Sequence, residues 1–117
     1  MTSEEPVIGV VGPCAAGKTT LVSDLRSAGY VVRHIAQEHS YVQDMWKLIS
    51  NPDYLVYLDV SFEVSTARSG SGWTRSIFSK QIDRLVHARS NADLYIQTDE
   101  LTTKEVLEIV IAKIENL

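Results

Sequence analysis

The residues best suited to chemistry stand together near the start of the chain: Gly12-Pro13-Cys14-Ala15-Ala16-Gly17-Lys18-Thr19, followed by Thr20. Glycines let a backbone wrap closely round an anion, with successive N–H groups pointing inward at it. In the spacing G-x-x-x-x-G-K-[ST], the lysine places a positive charge on β- and γ-phosphates and the hydroxyl residue suits a magnesium ion. Lys18 and Thr19 occupy those positions here. A helix starting at this point adds the positive end of its dipole. The competing reading is a glycine-rich turn without a ligand. Against it stands the cost of burying a lysine beside unpaired amides with no anion present. Cys14 reads either as an activated, oxidation-sensitive thiol near a helix start or as a small residue at a permissive loop position.

The elements that must position this loop follow from patterning. Val7-Ile8-Gly9-Val10-Val11 is short, apolar and β-branched, as expected of a buried parallel strand. Residues 19–28 predict a helix with Leu21, Val22 and Leu25 on its apolar stripe and Gly29 as its stop. A second strand is expected over residues 30–35. Val42, Met45, Trp46 and Ile49 have helical spacing and predict a short helix over residues 41–49, broken by Asn51-Pro52. The third and most apolar strand covers residues 54–60, and Ser61 is placed to cap a helix over residues 62–68. Residues 69–72 read as flexible. Ser79 is placed to cap a further helix with Ile82, Leu85 and Val86 facing inward. Leu94-Tyr95-Ile96-Gln97 is the fourth strand. Thr102 or Thr103 caps a last helix with Val106, Leu107, Val110, Ile111 and Ile114 on its apolar stripe.

Strands alternating with helices predict an α/β chain: a short, mostly parallel sheet of about four strands with helices on both faces. Ligands of such sheets bind beyond the carboxyl ends of the strands. That rule selects residues 12–20, Gln37-Glu38-His39-Ser40, Asp59 and Thr98-Asp99 as one rim. Asp59 ends an apolar run, so it fits an acid that orients magnesium-bound water; equally, it fits a structural residue closing its strand.

Composition narrows the class. A chain of 117 residues is expected to form one domain with one core. Its 44% hydrophobic content and near-zero mean hydropathy fit a soluble globular protein. Met1-Thr2-Ser3-Glu4-Glu5 is polar and acidic, unlike a signal peptide, and no stretch has transmembrane length. The one cysteine leaves no intramolecular disulfide, which agrees with a reducing, cytoplasmic setting. A net charge of −4 argues against nucleic acid as the main partner. Residues 68–89, however, carry +4 through Arg68, Arg75, Lys80, Arg84 and Arg89 against Asp83, which suits a small polyanion such as a nucleotide. A four-stranded sheet also leaves edges that a homodimer would cover.

These segments together resemble the P-loop NTPases, and within them the small-molecule kinases of the adenylate, shikimate and deoxynucleoside kinase type. Beyond the loop, the likeness rests on Asn51-Pro52-Asp53-Tyr54-Leu55-Val56-Tyr57-Leu58-Asp59-Val60-Ser61-Phe62-Glu63, similar to their late strand and following helix, and on Arg68 at that helix's end. Ala88-Arg89-Ser90-Asn91-Ala92-Asp93-Leu94-Tyr95-Ile96-Gln97-Thr98-Asp99 is similar to their last strand and adenine-side loop. The resemblance implies a three-layer α/β/α fold binding ATP and Mg2+. Gly12, Pro13, Cys14, Ala15, Ala16, Gly17, Lys18, Thr19 and Thr20 would hold the phosphates, Arg68 would stack on adenine, and Thr98 and Asp99 would border it. Residues 69–79 would form a lid whose Arg75 reaches the phosphates after closure, with Trp73 covering apolar surface. Glu38 would accept a proton from the acceptor hydroxyl or hold magnesium-bound water; with Lys18 and Arg75 it completes the implied catalytic set. Thr19, Glu38 and Asp59 are the implied metal residues. His39 and Ser40 read as substrate-fixing or ordinary loop residues, and no His or Cys spacing suggests a zinc site.

The chain departs from that pattern in one respect. The kinases carry a further strand, with an aspartate, between the second strand and the strand at Tyr54, and here only a short segment lies between them. Two functions follow. One is a Mg-dependent phosphotransferase acting from ATP on a small hydroxylated metabolite or nucleoside. The other is a nucleotide-binding module (sensor, slow NTPase or subunit of an assembly) in which Tyr41 or Trp46 meets a partner. No Asn-Lys-x-Asp guanine signature is present, which favours adenine.

Overall fold

A computed structural model describes residues 5–69 and 74–117. Four strands, β1 (Val7–Val11), β2 (Val31–His34), β3 (Tyr54–Asp59) and β4 (Leu94–Gln97), make one sheet in the order β2-β1-β3-β4. Every pairing is parallel: Val10 stands opposite His34, Val11 opposite Tyr57, and Asp59 opposite Gln97. The carboxyl ends of all four strands therefore open on one rim, as expected from the alternation. The helices are α1 (Lys18–Ser27), α2 (Phe62–Ser69), α3 (Arg75–Arg84), α4 (Val86–Ser90) and α5 (Thr103–Glu115).

The side chains of β3 explain the three layers. Leu55, Val56, Tyr57 and Leu58 are all buried, because an inner strand of a parallel sheet is covered on both faces. Val56 and Leu58 join Ile8, Val10 and Ile96 under α1 and α5, where Leu21, Leu25, Val106 and Val110 close the core. Leu55 and Tyr57 face the other way and join Val11, Trp46, Leu85 and Ala88. Each such fully buried side chain contributes about 1.5–3 kcal/mol. Burial also raises the phenol pKa of Tyr57, which stacks on Tyr95.

Local caps set several boundaries. Thr102 accepts from the Glu105 N–H at 3.1 Å while Glu105 Oε1 accepts from the Thr102 N–H at 2.8 Å, a complete capping box. Ser61 Oγ accepts from the Val64 N–H at 3.2 Å. The helix expected to start at Ser79 starts a turn earlier, because Thr74 Oγ1 accepts from the Ile77 N–H at 3.1 Å. Arg75–Ser79, expected in a lid, are therefore helical. The chain bends at Leu85 between α3 and α4, so Leu85 is buried while Val86, expected inside, is 54% exposed.

The segment 41–49 also differs from its expectation. The structure has a 3-10 turn at Gln37–His39 and a π-helical turn at Trp46–Ser50. The reason is a side chain. Buried Gln37 takes the Trp46 N–H on its Oε1 at 2.8 Å and donates from Nε2 to the carbonyls of Val42 at 2.8 Å and Arg84 at 3.1 Å. Backbone groups that a helix would pair internally are engaged elsewhere. Trp46 is buried and donates to His87 Nδ1 at 3.1 Å, so it is not the exposed aromatic envisaged for a partner, whereas Tyr41 is exposed. Ser69 ends α2; the rest of the expected hinge, Gly70 to Gly72, and Trp73 lie outside the described residues. Among the described residues no helix is long and apolar enough to cross a membrane.

Candidate functional site

The glycine-rich loop leaves β1 at Val11 and re-enters regular structure at α1. Gly12 has a φ of 150°, and a Cβ there would meet the Leu58 carbonyl oxygen at 2.1 Å, so the loop can cross the end of β3 only with glycine at this position. Ala15 and Gly17 are left-handed, with φ of 67° and 99°, which folds the loop back over its own interior. Left-handed backbone at Ala15 costs on the order of 1–2 kcal/mol and is typical of ligand-clamping segments. No side chain caps the start of α1 and no acid lies in its first turn. The first-turn N–H groups have no intrahelical acceptor, the arrangement that suits an anion.

Lys18 points into the loop. Its Nζ donates to Gly12 O at 2.6 Å and Pro13 O at 3.0 Å, and it pairs with Glu38 Oε2 at 2.9 Å, while only 6% exposed. Glu38 comes from the turn after β2, and it reaches Lys18 because β2 lies directly against β1. Glu38 is 4% exposed, and its Oε1 has no hydrogen-bond partner among the described residues. Arg84 Nη1 donates to the Glu38 carbonyl at 3.3 Å. A pocket of about 340 Å³ opens here, bordered by Cys14, Lys18, Thr19, His34 and Glu38. Partial burial, then the Lys18 charge, hold the His34 imidazole below its ordinary pKa, with Glu38 opposing.

Cys14 is tied down by a residue that sequence reasoning passed over. Gln81 of α3, 3% exposed, accepts the Cys14 N–H on Oε1 at 3.0 Å and donates from Nε2 to Cys14 Sγ at 3.2 Å. The available signal was weak: a polar residue one helical turn before Leu85, on the stripe that Leu85 and Ala88 bury. His34, missed likewise, carried no motif.

Across the loop lies a second pocket, of about 380 Å³, bordered by Ala16, Thr20, Arg68, Thr98, Leu101 and Val106. Arg68 Nη1 donates to Ala15 O at 3.0 Å and Thr98 Oγ1 at 3.1 Å, and Nη2 to Thr98 O at 2.9 Å. A flat cation thus separates the two pockets, bordering both. Asp99 lies beside this wall, with Oδ1 accepting the Ser61 N–H at 2.9 Å. Burial would raise its carboxyl pKa, but hydrogen bonds from Ser61 and Gln97 and the Arg68 charge hold it low.

Two expected site residues stand apart. Asp59 accepts from the Tyr95 hydroxyl and from the Val60 N–H, and it borders neither pocket. Arg75 is exposed, donates to Glu63 Oε2 at 3.1 Å and lies over the Phe62 ring at 4.4 Å.

The fold is that of a protein solved with a nucleotide. YorR from Bacillus subtilis, whose crystal structure is in complex with phosphorylated GDP, matches with a TM-score of 0.70 over 93% of this chain and 95% of that one, at 13% identity. No protein-family model matches this chain, and no curated protein matches it. The likeness establishes a three-layer α/β/α architecture around a parallel sheet.

Proposed function

We propose that this chain is a single-domain P-loop protein that binds ATP through residues 12–20 and transfers the γ-phosphoryl group to a small hydroxylated metabolite or nucleoside. The observation that carries the reading is the buried Lys18–Glu38 pair, 2.9 Å apart beside the uncapped start of α1. A buried ammonium turned into a loop of glycine and left-handed backbone suits a polyphosphate tail, for which carbonyls and carboxylate stand in meanwhile. Arg68, at the wall between the pockets, suits a base stacked beside the tail. A protein of the same fold holding a guanine nucleotide supports nucleotide as the ligand class.

The donor set fits Mg2+: the Thr19 hydroxyl and the Glu38 carboxylate are hard oxygen donors from residues that border one pocket. Bound there, the ion would neutralise charge on the phosphate oxygens. Lys18 would bind and neutralise the transferring group, and Glu38 would accept the proton of the acceptor hydroxyl. Arg75, paired with Glu63 in this conformation, favours the second reading: a module that holds nucleotide without efficient transfer.

Purified protein given Mg2+, γ-labelled ATP and pooled nucleosides and small alcohols is expected to yield a labelled metabolite, and Glu38→Gln to lose that label. Tight ATP binding with no labelled acceptor would replace the kinase by the module. Unchanged ATP affinity in Lys18→Ala would overturn both.

A further inference from the structure

We propose that Cys14, Glu38 and His39 form a binding site for a borderline-soft divalent cation of the Zn2+ class, at the mouth of the phosphate pocket. The inference is independent of the nucleotide reading, since it rests on these three side chains alone. Their ligand atoms all lie within 4.8 Å of one another. Cys14 Sγ is 3.9 Å from His39 Nε2, which is 3.8 Å from Glu38 Oε2. Tetrahedral zinc, with bonds of about 2.3 Å to sulfur and about 2.0–2.2 Å to nitrogen and oxygen, needs separations of roughly 3.3–3.6 Å. These two gaps exceed that range by a few tenths of an ångström, and the His39 side chain, 60% exposed, is free to close them; the Cys14–Glu38 separation, within 4.8 Å, has to close by a shift of the loop.

Two further features suit an ion there. Glu38 Oε1 is buried with no hydrogen-bond partner among the described residues, so this carboxylate is short of donors and cations. Gln81, itself buried, already donates to Cys14 Sγ at 3.2 Å, the kind of outer contact that orients a metal-bound thiolate. Cys14, losing its proton to water on binding, and the Glu38 carboxylate would supply two negative charges to the ion; Lys18 would share Glu38 with it and keep the carbonyls of Gly12 and Pro13 as acceptors. Thiol and imidazole select Zn2+ or Co2+ over Mg2+, which takes oxygen. Three protein ligands leave a fourth position for water. Because Cys14 and Glu38 also border the phosphate pocket, the ion fastens the loop to the turn after β2 and competes for the carboxylate assigned to Mg2+.

The test uses the full chain free of nucleotide and Mg2+, titrated with Zn2+ by calorimetry and with Co2+ by visible absorption. One ion per chain is expected, with a thiolate-to-cobalt charge-transfer band that Cys14→Ser removes. His39→Ala should weaken Zn2+ binding by at least about tenfold, since even outer-shell partners are worth about 10–100-fold. His39 is exposed, so this variant keeps the test valid if Cys14→Ser perturbs the loop; unchanged thermal unfolding verifies its fold. No stoichiometric binding, a Co2+ complex without the thiolate band, or unchanged Zn2+ affinity in His39→Ala would overturn the proposal. With nucleotide absent throughout, none of these results bears on ATP binding.

Discussion

The two sides of the β2 end of the rim are built differently. Towards β1, Lys18, Glu38 and Gln81 are each 6% exposed or less, and their polar groups interlock with the loop backbone. Away from it, the segment around Trp46–Ser50 exposes Tyr41, Leu48 and Ile49 by 66–84% and hangs on Gln37 and Trp46. The first region is organised before any ligand arrives, so little ordering cost falls on binding. The second leaves apolar side chains exposed and is held to the core through buried Gln37 and Trp46. Under the proposed function, an anionic tail would meet the interlocked side, while whatever approaches from the 41–50 side meets an exposed apolar surface.

Four changes break or sharpen that contrast. Lys18→Ala should cost the most, about 3–5 kcal/mol, because it leaves the Glu38 carboxylate buried without its cation. Urea unfolding at neutral pH measures it; a loss below about 1 kcal/mol, the scale of a surface pair, would mean that the phosphate side is no more built than the other. Gln81→Leu comes next. It strips the acceptor from the Cys14 N–H, and a loss of about 1–3 kcal/mol in the same assay is expected.

The pH response is smaller. The folded imidazole of His34 titrates below 6.5, so the unfolded chain takes up this proton first as pH falls. Its contribution to stability is complete above 6.5 and is lost as pH drops from there through the lower folded value. An NMR titration of the His34 ring should show the depressed value, and added pyrophosphate should raise it; a ring titrating at or above 6.5 in the free protein would contradict the assigned environment. Ile49→Ser should matter least, within about 0.5 kcal/mol by urea unfolding. A larger loss would show that the 41–50 side is packed after all.

Legibility followed the range of the interactions. β3 could be read because burial on both faces writes an unbroken apolar run into adjacent residues. The last helix could be read because a threonine cap and an apolar stripe through Val106, Val110 and Ile114 are both local patterns. Segment 41–49 was read in part: a π-helical turn over Trp46–Ser50 does stop at Asn51, but Gln37, from the preceding turn, captures the backbone before it. Ser79 was mistaken for a cap because Thr74 offers the same chemistry a turn earlier.

The chain's own order of residues was sufficient for the backbone shape of the glycine-rich loop. Glycine at 12 and 17, a lysine next to the second of them and an uncapped helix start are all local, and backbone sterics act between neighbours. Which carboxylate would face that lysine was not local. Glu38, in the turn after β2, and Asp59, at the end of β3, both follow strands beside β1, and only the packed sheet decides between them. It turns Asp59 to Tyr95 and lays β2 against β1, which buries Glu38 at the ammonium.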